Sequence, residues 1–336
     1  MKSQKTTTLA THLESFFRNR LVLQRRCSPA TISTYRDGLR LLLIFASKQM
    51  GKPPSRLAVE DLDRDLILAF LDHLESKRGN SIRTRNARLA AIKSFFQHIA
   101  YSDPSAMGIV QRVLAIQEKR TVKKAICYLR QEDLTVLLSA PDQNTWLGRR
   151  DYTLLLFLGR TGARVSEATG LNGSDLRLDK PYQVLLRGKG SKERVIPLTE
   201  ETVIALRNYR DENVHRLATE GPLFINQRGA RLTRFGVVHV IDRAVKAATS
   251  QHPHLAKMRI SAHTLRHTVA MHMLQAGVDL TTIQSWLGHA TVNTTHQYVE
   301  ADTEMKRRAI EMCAAPETPV SLYVPTDDVL ALLENL

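Results

Sequence analysis

Apolar residues recur at helical spacings along most of this sequence, and at residues 183–198 the pattern changes to that of paired strands. Gln183-Val184-Leu185-Leu186 favours extended backbone. Gly188-Lys189-Gly190-Ser191-Lys192 is a flexible basic turn, and Arg194-Val195-Ile196-Pro197-Leu198 is a second extended run. A β-hairpin set among helices predicts a mainly α chain with a small β-sheet in its C-terminal part, an α+β arrangement.

On the N-terminal side, Ser28-Pro29 reads as a helix start, a capping hydroxyl followed by Pro in the first turn. Ile32, Tyr35, Leu39 and Leu42 then recur three and four residues apart, which is one helix face. A second helix opens at Asn80-Ser81. Its apolar face carries Ile82, Leu89, Ile92, Phe96 and Ile99, and its other side is read as the basic set Arg83, Arg85, Arg88 and Lys93. Asp103-Pro104 closes this region, and the stretch after it is polar and basic, with Lys119-Arg120 and Lys123-Lys124. The chain of 336 residues is long enough for two domains with separate cores. The expected division is a helical domain over 1–104, a linker over 105–127, a second domain over 128–315 and a tail over 316–336.

In the second domain, helices are predicted over 130–139 and 147–161, then the hairpin, then further helices from Glu200. Gly277 and Gly288 are placed to stop helices, with Asp279 as a cap between them. The tail is broken by Pro316, Pro319 and Pro325. It ends in a short amphipathic segment, capped by Thr326 and bearing Val329, Leu330, Leu333 and Leu336.

Charge narrows the partner. Lys and Arg number 48 against 33 Asp and Glu, a net +15, which favours a polyanion and nucleic acid first. The longest apolar runs, 41–46 and 154–158, are far too short to span a bilayer. Cys27, Cys127 and Cys313 share no metal-like spacing and suggest no disulfide framework, so a reducing cytoplasm is the expected location. Aromatic residues make up only 6% of the chain, too few for an extended base-stacking platform.

Five features then follow in order. Gly162-Ala163-Arg164 is followed by Glu167 three residues on, able to orient the arginine. Lys189 stands at the hairpin tip. In His263-Thr264-Leu265-Arg266-His267, His263 and Arg266 share a helix face. Trp286-Leu287-Gly288-His289 places a histidine just past a helix end, and Tyr298 follows nine residues later. Each feature alone has an ordinary structural reading. Together they are what phosphoryl transfer without a metal requires. Two guanidiniums fit phosphate oxygens bidentately and stabilise charge in the transition state. Histidines bind and move protons near neutral pH, a lysine can protonate a departing oxygen, and a tyrosine can attack phosphorus.

This ordered set, Arg164, Lys189, His263-x-x-Arg266, Leu287-Gly288-His289 and Tyr298, resembles the tyrosine recombinases: phage integrases, Xer recombinases and integron integrases. The resemblance covers residues 128–312 well and the N-terminal helices more loosely. It implies a core-binding helical domain followed by a catalytic domain, and a site-specific exchange of double-stranded DNA; mobile-element integration or excision is the expected role, with chromosome-dimer resolution as the alternative. By that resemblance Arg164 and Arg266 hold the scissile phosphate and His289 binds it. Lys189 is the general acid for the 5′-oxygen, and His263 assists proton transfer with Tyr298. Tyr298 is the nucleophile that forms a 3′-phosphotyrosine, and Glu167 supports the site. His267 is assigned a packing role. Arg83, Arg85, Arg88 and Lys93 are the expected DNA contacts of the first domain. A homotetramer on two DNA sites, or an assembly with related recombinases, is implied, with the tail exchanged between protomers. No metal, cofactor, ATP or membrane is expected, and the sequence contains no Gly-x-x-x-x-Gly-Lys-Ser/Thr loop. Three other activities fit part of this pattern. A metal hydrolase would use His263 and His267, but the first lacks the adjacent Glu of His-Glu-x-x-His. A DNA-relaxing topoisomerase would share the chemistry. A non-catalytic regulator would have no need of six reactive side chains.

Overall fold

In the computed structural model the described residues are 8–121, 126–188, 192–213, 220–288 and, beyond these, Thr295, Tyr298 and Arg307. The chain divides into two compact units, 1–124 and 125–336, each with its own core.

The first unit is helical. Helix α1 (Leu9–Ser15) runs into a π-helical segment, Phe16–Gln24, and is followed by α2 (Pro29–Met50), α3 (Arg64–Ser76), α4 (Ile82–Ser102) and α5 (Met107–Leu114). Side-chain caps begin the longer helices as the sequence suggests: Ser28 accepts from the Thr31 N–H and Ser81 from that of Thr84, with Asp63 doing the same before α3. Phe16, Leu42, Phe70, Leu89, Ile92 and Phe96 lie in the core.

Two expectations fail here. Residues 105–116 are not linker: α5 sits in this stretch, and Val110, Val113 and Ile116 are buried in the same core as α4. Their spacing of three is an amphipathic signal, overshadowed in the sequence by the basic residues after it. Arg85 does not share a solvent face with Arg83. It is buried, with Nε 3.3 Å from Glu75 Oε1. It precedes Leu89 by four residues and Ile92 by seven, so helical geometry places it on the apolar face. Ile82, assigned to that face, is exposed at the first turn.

The second unit contains α6 (Gln131–Ser139), α7 (Trp146–Thr161), α8 (Val165–Gly170), α9 (Glu200–Glu212), α10 (Arg234–Ala248), α11 (Ala262–Gln275) and α12 (Leu280–Leu287). Helix α7 is its centre. The five residues Leu154–Leu158 are all buried, because α6, α9 and α11 pack around it. The hairpin is β2 (Gln183–Arg187) with β3 (Glu193–Pro197), and a two-residue strand, β1 (Leu176–Arg177), extends it to an antiparallel sheet of order β1-β2-β3. Val184 pairs with Ile196 and Leu186 with Arg194, so Arg194 lies on the strand face that enters the core. Asp279 caps α12, and Gly277 and Gly288 take left-handed backbone where helices stop. Among the described residues no helix is long and apolar enough to cross a membrane.

Candidate active site

Helix α7 ends at Gly162, whose φ of 64° favours glycine and where an added Cβ would lie 2.8 Å from Leu287 Cδ2. The tight turn delivers Arg164 as the N-cap of α8. Glu167, three residues into that helix, accepts from the Arg164 backbone N–H and from its guanidinium, each at 2.7 Å. The same carboxylate is held from the other side by Arg194 of β3, with two parallel bonds of 2.8 Å. Burial alone would raise the Glu167 pKa. The bonds from Arg194 and Arg164 outweigh it and hold the carboxyl below its ordinary range.

Ser261 caps α11 and starts the helix that places His263 and Arg266 three residues apart, with His263 exposed and Arg266 only 2% exposed. Arg266 donates to the Gly162 carbonyl at 2.8 Å and to that of Leu287 at 2.5 Å. With the neighbouring arginines a pattern emerges at the end of α12. Three consecutive carbonyls are gripped by three different guanidiniums: Trp286 by Arg194 at 2.8 Å, Leu287 by Arg266, and Gly288 by Arg164 at 2.8 Å. The last carbonyls of a helix have no intrahelical partners and carry its negative pole. They therefore fix Arg266 without the carboxylate that pairs with Arg164 and Arg194. Burial, then repulsion by Arg164, draws the Arg266 pKa down to about 10, so it stays cationic at neutral pH.

Arg164, His263 and Arg266 line a cavity of about 360 Å³ together with Arg234, Val237 and Ile241. Burial, then Arg266 and Arg164, lowers the pKa of His263, so an anion entering the cavity would make it more basic.

Tyr298 is 1% exposed, packed with Met271, Ile283 and Leu287. Its hydroxyl lies 2.9 Å from His267 Nδ1. His267 also meets His263 edge to face, with ring centroids 4.3 Å apart. The packing role assigned to His267 therefore misses a polar contact with the tyrosine oxygen. The signal was its place one turn after His263 on the same face. Arg194 was not singled out at all. Lys189 and His289 lie outside the described residues. Their chain neighbours Gly188 and Gly288 do border the arginine cluster: a Cβ at Gly188 would lie 3.3 Å from Glu167 Oε1, and the Gly288 carbonyl binds Arg164.

One group among the described residues could offer a metal three ligand atoms: Asp133, His252 and His254. Both imidazoles reach the same Asp133 oxygen, at 2.7 and 2.9 Å, and two N–H donors to one carboxylate account for the arrangement. It includes none of the residues of the arginine cluster.

Residues 127–305 match the phage integrase family, and residues 13–101 match the phage integrase N-terminal SAM-like domain. A protein of Sinorhizobium fredii named integrase/recombinase y4rC is 44% identical over 332 residues, spanning 99% of each chain. Tyrosine recombinase XerC of Pelobacter propionicus is 36% identical over 290 residues, 86% of this chain and 90% of the relative. In fold, the chain is similar to XerH site-specific recombinase in a post-cleavage complex with its difH substrate, with a TM-score of 0.70 and 24% identity over 86% of this chain and 81% of that one. It is likewise similar to the Tn1549 transposon integrase in complex with a circular-intermediate DNA, with a TM-score of 0.67 and 19% identity over 89% and 98% of the two chains.

Proposed function

The chain belongs to the phage integrase family, the tyrosine recombinases, and we propose that its strand exchange runs through Tyr298 with Arg164 and Arg266 as the phosphate clamp. It is a site-specific recombinase that acts on DNA. The observation that carries the residue assignment is the way the α12 terminus holds the two arginines. Carbonyls 287 and 288 and, for Arg164, the Glu167 carboxylate set their positions, Arg266 has only carbonyls among its described bonds, and a cavity opens in front of them.

In the proposed reaction the scissile phosphate enters that cavity. Each guanidinium has five N–H donors, and the hydrogen bonds described for each commit two, so both can still bind nonbridging oxygens. The Tyr298 oxygen attacks phosphorus, and the 5′-oxygen leaves with a proton from Lys189. A 3′-phosphotyrosine remains, with His263 and His289 at the phosphate. The ester retains the energy of the bond it replaces, so the 5′-hydroxyl of a partner strand can reverse the step without ATP. Positioning and preorganised charge supply the acceleration, and no step needs a metal.

The substrate is double-stranded DNA at a mobile-element boundary, which the name of the S. fredii relative supports. The proposed working form is a homotetramer on two DNA sites, or a mixed assembly with a related recombinase. The tail over 316–336, which lies outside the described residues, would pass between protomers. The free Cys27 and Cys127 fit a reducing cytoplasm.

A nicked suicide duplex tests the chemistry. Wild-type protein is expected to form a covalent adduct in EDTA. Tyr298→Phe, which removes one hydroxyl, is expected to bind the duplex and form none. A normal adduct yield from Tyr298→Phe would overturn the assignment, and strict dependence on added Mg²⁺ would move the catalysis to a metal ion.

A further inference from the structure

Tyr298 must lose a proton when its oxygen bonds to phosphorus, a transfer that the family resemblance gives to His263, whereas the histidine nitrogen found at the tyrosine oxygen is that of His267. We propose that His267 Nδ1 takes the Tyr298 proton as the phenolic oxygen attacks, which makes His267 a catalytic residue of the strand-cleavage step. The inference rests on the assignment of Tyr298 as nucleophile.

Three observations carry it. His267 Nδ1 is 2.9 Å from the Tyr298 hydroxyl, within hydrogen-bond reach of the proton to be taken. Tyr298 is 1% exposed, so bulk water is a poor acceptor at that oxygen. His263 packs edge-on against His267, with centroids 4.3 Å apart, while the His267 and Tyr298 rings stand 5.5 Å apart. The three rings form a file from the cavity wall to the nucleophile, and His267 is the member that touches it.

The chemistry of the ring agrees. Burial, then His263 and Arg266, lowers the His267 pKa to about 4, so the imidazole is neutral at neutral pH. A neutral imidazole has one nitrogen lone pair, and with the proton on Nε2 that lone pair is on Nδ1. A phosphodiester docking between Arg164 and Arg266 brings negative charge close to Arg266, whose charge, after burial and His263, lowers the basicity of His267. The base therefore strengthens as the substrate arrives. In the step, the bond from the Tyr298 oxygen to phosphorus forms and the bond from phosphorus to the 5′-oxygen breaks. The electron pair leaves with the 5′-oxygen, which is protonated by Lys189. The phenolic proton ends on Nδ1, and rejoining returns it.

The alternative is a peg: Nδ1–H donates to the tyrosine oxygen and only holds the ring. Two single-turnover substrates separate these roles, a nicked duplex with an ordinary phosphodiester and one with sulfur at the bridging 5′ position. The thiolate leaves without a proton, so the sulfur substrate relieves any defect at the leaving group and none at the nucleophile. His267→Asn retains an amide that can hold the hydroxyl but cannot take its proton. We expect it to bind DNA as wild type does and to cleave both substrates roughly 100-fold or more slowly. Lys189→Ala should recover on the sulfur substrate. The pH profile of His267→Asn should climb steadily toward the ordinary tyrosine range near 10, where wild type is expected to level off near neutrality. His267→Gln serves as a second amide if the shorter one disturbs DNA binding.

Cleavage by both amide variants within about threefold of wild type would overturn the proposal and leave the peg, since general-base catalysis contributes at least roughly 100-fold. Recovery of His267→Asn on the sulfur substrate would overturn it too, by placing His267 at the leaving group. Failure of the underlying assignment looks different: Tyr298→Phe would still form adduct. An inactive Tyr298→Phe beside an active His267→Asn defeats only this inference.

Discussion

Arg85 in the first unit and Arg266 in the second are both buried and are treated in opposite ways, while Arg150, also buried in the second unit, pairs with Asp151 much as Arg85 does with Glu75. Arg85, 3% exposed in the first unit, has Nε 3.3 Å from the Glu75 carboxylate and donates to Asn86 Oδ1 and the Gln117 carbonyl. Its charge is answered within the fold. Arg266, 2% exposed in the second unit, donates only to carbonyls in the bonds described for it, those of Gly162 and Leu287. The nearby carboxylate, Glu167, is bound by Arg164 and Arg194 instead. A buried arginine with its own carboxylate is a closed structural contact. One fixed by carbonyls retains charge that a phosphate can use. Between Arg85 and Arg266 burial therefore does not separate the structural arginine from the functional one, and the type of acceptor does; Arg164, half-buried and bound to both Glu167 and a carbonyl, combines the two.

The largest expected effect tests that rule directly. Arg266→Met should slow covalent adduct formation by roughly 100- to 1,000-fold or more, the loss typical of removing one preorganised transition-state donor. Its stability should hold or rise, because no carboxylate is left unpaired. Arg85→Met should do the reverse. It should cost about 2 kcal/mol of stability, below the ~3–5 kcal/mol of a fully buried broken pair, because Glu75 remains 24% exposed. Cleavage by the folded protein on saturating DNA should be unchanged. Single-turnover adduct yield and urea melts of both variants check the pair, and an exchange of the two phenotypes would break the comparison.

Glu167 sharpens it from the acidic side. Its side chain is buried and joins Arg164 to the sheet through Arg194. Because its folded pKa lies below the ordinary value of 4.5, it adds stability that is present above about pH 4.5. That stability is lost as pH falls through the lower folded value. Glu167→Gln should cost roughly 3 kcal/mol at neutral pH and flatten the acid limb of the melting profile below pH 4.5. An acid limb as steep as that of wild type would mean that other carboxylates dominate it.

What could be read from the sequence follows how local each feature is. The hairpin, the helix caps and the Gly288 stop depend on a few adjacent residues, and the structure has them where the spacing places them. Arg164 with Glu167, and His263 with Arg266, are single-turn relationships and were visible for the same reason. Arg194 was missed because its partners are far along the chain, at Glu167 and Trp286. Strand alternation held a usable signal, since a charged residue two before Ile196 points toward the core. The contact between His267 and Tyr298 depends on how α11 packs against distant chain, which no local spacing states. Residues 105–116 join the helical core and not the linker because three apolar residues at intervals of three outweigh the basic run after them.

The smallest expected effect concerns the surface of the first unit and decides which basic residues meet DNA there. With Arg85 committed to Glu75, the expected contacts reduce to Arg83, exposed on the first turn of α4, to Lys93, half-buried on its flank, and to Arg88. Arg88 is itself half-buried, and its guanidinium donates to the Thr34 carbonyl at 2.9 Å, which ties α4 to α2 and leaves fewer donors for phosphate. A side chain that neutralises a phosphate releases condensed counterion, and each such contact steepens the dependence of log affinity on log salt by about 0.9. Arg83→Ala and Lys93→Ala should each flatten that slope by about 0.9 and leave the melting temperature unchanged, because neither is paired with a carboxylate in the described structure. Arg88→Ala should combine a smaller slope change with a loss of stability from the broken α2–α4 bond. Arg85→Met should leave the slope as it is. A slope unchanged in the Arg83 and Lys93 variants would place the DNA on another face of the unit. A slope flattened by Arg85→Met would show that the pair with Glu75 opens on DNA, and closed and open arginines would then be two states of one residue rather than two kinds of site.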